Sequence, residues 1–215
     1  AEPALAYPRY FKICGRWVNS YKVFLCIGIY IGVLVSAAFA QSIGISPLRM
    51  GLGGLCCAIS GLAGARLYYL LLHAATYRHS GWRTIWDPRS GGWSVFGALL
   101  PIIPLAFLMA WLLRIPPAQF WDCMGGGILA GGFWVRLGCV FNGCCVGRET
   151  TGRCGMRLHD VHGVCKRRVP VQFLEMIWWL MGGAVFLCLW PLNLPDGTYA
   201  LGVLCWYGFG RFWLE

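Results

Sequence analysis

Charge is what this 215-residue chain has least of: Asp, Glu, Lys and Arg together make up 12% of it. A soluble domain of this length carries about twice that share, so the composition argues against a water-soluble globule. Acids are the scarcest, with eight Asp and Glu facing eighteen Lys and Arg. There is no internal repeat, no low-complexity segment and no C-x-x-C pair. The first two absences leave one compact helical unit with no room for a second large domain. The third weakens the case for a zinc site.

What fills the chain instead is apolar: 58% hydrophobic residues, 12 Trp, 30 Gly and a mean hydropathy of +0.61. Apolar runs fall at 23–40, 50–73, 94–113, 120–141, 171–190 and 198–214. Most are close to the ~20 residues that a helix needs to cross a bilayer. The runs predict an all-α fold, a polytopic transmembrane helix bundle of about six spans in an integral membrane protein. Residues 1–20 form a basic N-terminal segment, and 21–215 a single transmembrane domain with a basic Cys/His loop at 144–169. The first run ends in "SAAFAQ", but its length and the five runs after it favour an uncleaved anchor. Prolines 47, 116, 117, 170, 191 and 195 mark boundaries, while Pro101 and Pro104 lie inside the third run and are expected to kink it. Glycines at 53–54, 125–127, 131–132 and 182–183 predict close helix contacts.

The net charge of +10 does not point to nucleic acid, because the basic residues sit in short gaps between apolar runs. Their expected partners are anionic lipid headgroups. Thirteen Lys and Arg fall in residues 1–22 and in loops 74–93 and 148–168, against Arg49 and Arg114 on the other side. The positive-inside rule puts the thirteen in the cytoplasm.

Three arginines, Arg66, Arg136 and Arg211, fall within or at the edge of spans. A guanidinium in lipid costs several kcal/mol unless it meets a partner or a wet cavity, so each is a functional candidate. Arg66 and Arg211 have snorkelling to the headgroups as an equal alternative; Arg136 lies deeper, just before Asn142 and a helix break. Converging guanidiniums would bind a phosphate through forked hydrogen bonds, and in a membrane the abundant phosphates belong to lipids. Gln172 and Glu175 share one helix face by their spacing. They either line a polar cavity or neutralise an arginine.

The blocks "GLAGARLYYLLLH", "IWDPRSGGWSVFGALL", "WVRLGCVFNGCCVGRET", "RRVPVQFLEM" and "GTYALGVLCWYGFGRFWLE" occur in this order over residues 60–215. Together they resemble the prolipoprotein diacylglyceryl transferase family. The resemblance implies a bacterial inner-membrane enzyme that transfers the diacylglyceryl group of phosphatidylglycerol to a cysteine thiol of a lipoprotein precursor and releases glycerol 1-phosphate. No metal or organic cofactor is implied. By position, Arg136 and Arg211 match the family's essential arginines, Asn142 and Gly143 its Asn-Gly, Gly147 the glycine that follows, and Tyr21 a tyrosine of the first span. Gln172 and Glu175 match its Gln-Leu-Tyr-Glu, and Tyr207 opens the terminal Tyr-Gly-x-x-Arg-Phe-x-x-Glu. Arg66 belongs to the Gly-Ala-Arg of the second span. The resemblance also places the N-terminus and the loop after span four outside the cytoplasm, against the charge count.

The chain departs from the family at Phe96, where a histidine is usual, at Cys139 for Asn, at Cys144 for Glu, and at Val169 for the His of His-Pro. These departures suggest a divergent Gly-Cys-Cys branch and leave two other readings open. One is a catalytically silent relative, a lipid-binding subunit among membrane complex partners. The other is a thiol-redox or metal-binding membrane protein. Of twelve cysteines, Cys14, Cys26, Cys56, Cys57, Cys123, Cys188 and Cys205 read as packing residues. Cys154 and Cys165 could pair as a disulfide, or join His159 and His162 on zinc. Cys144 or Cys145, polarised by Arg136, could serve as a nucleophile or relay in place of the absent carboxylate.

Overall fold

The computed structural model describes residues 8–74, 95–152, 155–160 and 163–214. Six helices occur among them: α1 (Ser20–Ser42), α2 (Pro47–Leu72), α3 (Val95–Leu112), α4 (Pro117–Asn142), α5 (Val171–Leu189) and α6 (Thr198–Leu214). Each falls on one of the six apolar runs, as expected of an all-α bundle. α1, α2, α4 and α5 with its one-turn extension to Leu192 are long and apolar enough to cross a membrane. α3 runs through Pro101 and Pro104 without ending.

Two short hairpins were not expected. β1 (Tyr10–Ile13) pairs antiparallel with β2 (Arg16–Asn19), and β3 (Met156–His159) with β4 (Cys165–Arg168). The basic N-terminal segment and the basic loop are therefore ordered, at least where they are described. Cys14 and Gly15 both take positive φ in the first turn, which is how two residues reverse a β-ribbon.

The helices alternate in direction, and α1 packs along α4 as the closest pair. A methyl placed on Gly127 would lie 2.3 Å from the Gly32 carbonyl oxygen, and one on Gly131 2.7 Å from that of Gly28. Only a backbone without side chains lets two spans approach this far, the small-residue logic of membrane helix pairs. Gly132 receives Trp179 of α5 and Gly182 receives Trp206 of α6 in the same way, whereas Gly183 faces open space.

Phe120, Met50, Cys57 and Cys123 are fully buried between α2 and α4. A second cluster joins Leu129, Phe186, Tyr199 and Val203, with Phe39 and Trp190 packed against it. The outer surface is apolar: Phe212, Trp111 and Leu48 are each more than 70% exposed. That surface suits lipid rather than water. Of the cysteines read as packing residues, Cys57 and Cys123 are buried, but Cys14, Cys26, Cys56, Cys188 and Cys205 are exposed. Those in helices sit on outward faces, where an apolar thiol is equally at home.

Asp122 is buried at the start of α4 and accepts hydrogen bonds from the backbone N–H groups of Gly197, at 2.6 Å, and Ala200, at 2.7 Å. It caps the first turn of α6 from a neighbouring helix and sets a negative charge against the positive end of that helix dipole. This structural role accounts for one of the few acids near a span end.

Candidate functional site

The polar residues gather at the opposite end of the bundle from Asp122, where α1 and α5 begin and α4 and α6 end. Glu175, one turn into α5 and 5% exposed, is the hub. Its Oε1 lies 2.8 Å from Nη2 of Arg136 and 3.3 Å from Nη1 of Arg211. α4 and α6 thus each deliver a guanidinium to one carboxylate on the helix between them. Of the two readings left open for Glu175, it does neutralise a buried arginine, and the same carboxylate oxygen is also in reach of the second guanidinium. The Arg136 side chain is 16% exposed and that of Arg211 36%, so both keep a face toward the outside of the cluster.

Gln172 is 2% exposed and lies on the same face of α5. Its Nε2 donates to the carbonyl oxygen of Cys139, at 3.1 Å, and to that of Cys144. One amide thus ties the last turn of α4 to the turn that follows it. α4 closes at Gly143, whose φ of 72° and ψ of 20° form a left-handed cap with its N–H on the carbonyl oxygens of Cys139 and Val140. A methyl there would also stand 2.9 Å from the His159 carbonyl oxygen, so glycine is needed for space as well as for φ. Gly147 is required by close approach, since a methyl on it would lie 2.4 Å from the Val169 carbonyl oxygen.

Asn142 accepts a hydrogen bond on Oδ1 from Nδ2 of Asn19 at 3.0 Å, and Asn19 Oδ1 caps α1 by accepting from the Tyr21 N–H at 2.9 Å. Asn19 was not singled out in the sequence. Its signal was there, an Asn directly before an apolar run. Tyr21 and Tyr207 both lie near enough to Arg136 to interact with it electrostatically, and Tyr21 also with Cys139, Cys144 and Cys145. Arg66 is carried by α2, which packs on α1 and α3, and its guanidinium lies 5.9 Å from the Tyr69 ring centre. Phe96, at the histidine position, opens α3 with 74% of its surface exposed.

The sulfur atoms of Cys139, Cys144 and Cys145 lie within 4.8 Å of one another. Cys139 was noted only as a departure from the family, yet it is buried at the centre of this group. Hydrogen bonds from the Cys139 and Cys144 thiols, with the Arg136 guanidinium nearby, hold the Cys145 thiol well below its usual range. In the basic loop, Lys166 and Arg168 pair with Glu149 at 2.6 and 3.5 Å, and Arg168 with Asp160 at 3.5 Å. Cys165 is exposed on β4. Cys154 and His162 lie outside the described residues, and with them the expected disulfide and the four-ligand zinc set.

The model of the prolipoprotein diacylglyceryl transferase family matches residues 8–215. The chain belongs to this family. Among its relatives is the phosphatidylglycerol–prolipoprotein diacylglyceryl transferase of Tropheryma whipplei, 30% identical over 164 residues, which are 72% of this chain and 60% of that protein. The enzyme of the same name from Bifidobacterium longum is 27% identical over 95% of this chain and 72% of its own length. That of Frankia alni is 28% identical over 92% and 54%. The chain therefore spans little more than half of some of these relatives. Family membership and apolar helices make this an integral membrane protein.

Proposed function

We propose that the chain transfers the diacylglyceryl group of phosphatidylglycerol to the cysteine thiol of a lipoprotein precursor, in the bacterial inner membrane. The observation that carries this reading is the meeting of Arg136 and Arg211 on Glu175. Two guanidiniums share one carboxylate in an apolar bundle, a charge arrangement suited to an anionic headgroup. The relatives' names supply both substrates, and helical spans rather than a β-barrel support the inner membrane.

In this reading the acceptor sulfur attacks the glyceryl carbon that bears the phosphate ester. The carbon–sulfur bond forms as the carbon–oxygen bond breaks, and the thiol proton ends on the phosphate of the departing glycerol 1-phosphate. Arg136 and Arg211 offset the charge that grows on that phosphate, the preorganised electrostatic help expected of such donors. Glu175 and Gln172 are positioning residues: the first holds both guanidiniums, the second fixes the turn carrying Asn142 and Gly143. Phe96 has no group that accepts a proton, so position 96 plays no part in proton transfer.

The test is to incubate the purified protein with labelled phosphatidylglycerol and a cysteine peptide and to look for the thioether product. Transfer that disappears in Arg136→Ala and is partly kept in Arg136→Lys supports the reading. No product above the Arg136→Ala control refutes it.

A further inference from the structure

The three clustered thiols are not needed for the transfer just described, and their arrangement is more ordered than chance proximity explains. Cys139 is buried in the last turn of α4, Cys144 is half-buried and Cys145 exposed, so the group has a closed floor and an open mouth. Adjacent residues ordinarily send their side chains apart. Here Gly143 and Cys145 both take positive φ, at 72° and 57°, on either side of Cys144. For a non-glycine residue that conformation is strained, and strain of this kind collects at functional sites. The Cys144 N–H donates to the Cys139 carbonyl oxygen at 3.2 Å. The buried Gln172 amide fixes the carbonyls of both Cys139 and Cys144, so the frame holding two of the sulfurs is set from outside. Such support of a ligand set by surrounding hydrogen bonds is characteristic of metal sites.

We propose that Cys139, Cys144 and Cys145 form a three-thiolate site for a soft monovalent cation of the Cu(I) class. An ion about 2.3 Å from each of three thiolates in a plane sets the sulfurs about 4 Å apart, and the observed spread of no more than 4.8 Å closes to that with small side-chain rotations. Zinc would need a fourth ligand such as water to complete its tetrahedron here, whereas three thiolates alone complete a trigonal site for Cu(I), an ion that soft thiolates favour. Each thiol gives up its proton as the ion enters, and no electron is transferred. Three thiolates with a monovalent ion carry a charge of two minus, which the neighbouring Arg136 partly offsets. The site does not depend on transferase activity.

The probe is Cu(I) itself, delivered from a chromogenic chelator to the detergent-purified protein without oxygen and with a non-thiol reductant. The expected result is one copper per chain with three sulfur neighbours by X-ray absorption. Cys145→Ser, at an exposed position that should not disturb folding, should weaken binding at least tenfold. Cys139→Ser should do the same, and Cys165→Ser should change nothing. Equal copper retention in the Cys139→Ser/Cys144→Ser/Cys145→Ser triple variant overturns the site. So does zinc binding to the same thiols in preference to copper. A disulfide that persists between any two of the three under these conditions also overturns it. Lipid transfer measured on the same samples separates loss of this site from failure of the transferase reading.

Discussion

Replacing Glu175 with Gln keeps the shape of the side chain and removes the charge that two guanidiniums share. Breaking a buried ion pair by removing one partner costs about 3–5 kcal/mol, most of it from the charge left uncompensated. Arg136, at 2.8 Å and 16% exposed, meets those conditions. Arg211, at 3.3 Å and 36% exposed, is closer to a surface pair, for which about 0.2–1 kcal/mol is usual. Glu175→Gln should therefore cost about 3 kcal/mol, nearly all through Arg136. Two double-mutant cycles separate the contributions, one pairing Glu175→Gln with Arg136→Met and the other with Arg211→Met. Measured by reversible SDS unfolding in mixed micelles, the coupling to Arg136 should be about 2–3 kcal/mol and that to Arg211 below about 1 kcal/mol. The Arg136→Met/Glu175→Gln protein should be more stable than Glu175→Gln alone. Couplings of equal size, or an additive first cycle, would refute the assignment of Glu175 as the principal partner of Arg136.

Other outcomes follow from the turn that ends α4. Gln172→Leu removes a donor from two carbonyls: that of Cys139 keeps the Gly143 and Cys144 N–H groups, while that of Cys144 loses the amide, at about 1–3 kcal/mol at most; thermal stability should fall, and Cys144 should alkylate faster than in the parent. Gly143→Ala forces a side chain into positive φ against the His159 carbonyl, and its midpoint should drop by an amount equivalent to at least about 1–2 kcal/mol. Cys145 should alkylate at pH values below the usual thiol range near 8.5, and Arg136→Gln should move that profile upward. Because its folded pKa is lowered, the stabilisation it gives is complete above the unfolded thiol value and is lost as pH falls through the folded one. Unfolding midpoints measured across that range check the sign.

The helices were legible because lipid imposes a length and a composition on any segment that crosses it, and all six apolar runs became helices. Arg136, Arg211 and Glu175 were legible for the converse reason, that charge in such a segment demands an explanation. The details that depend on distant partners were not. Asp122 reads as an acid near a span end, and only the fold reveals that it caps a helix 75 residues away. Cys139 reads only as a departure from the family until the left-handed turn brings Cys144 and Cys145 back to it. The hairpins are hidden in the sequence because each of their strands is only 4 residues long, too short for an alternation of apolar and polar residues to stand out.

The sharing of Glu175 between helices on either side of it has a consequence for biogenesis. Arg136 enters the membrane with α4, its carboxylate comes only with α5, and Arg211 follows 36 residues after that. Helices inserted in order of synthesis thus leave a lone guanidinium waiting in the bilayer until the next span arrives. Helix α6 then joins an ion pair that Arg136 and Glu175 have already formed. A chain that stalls between α4 and α5 exposes an unsatisfied cation in lipid, a mark by which membrane quality control can tell an unfinished molecule from a finished one.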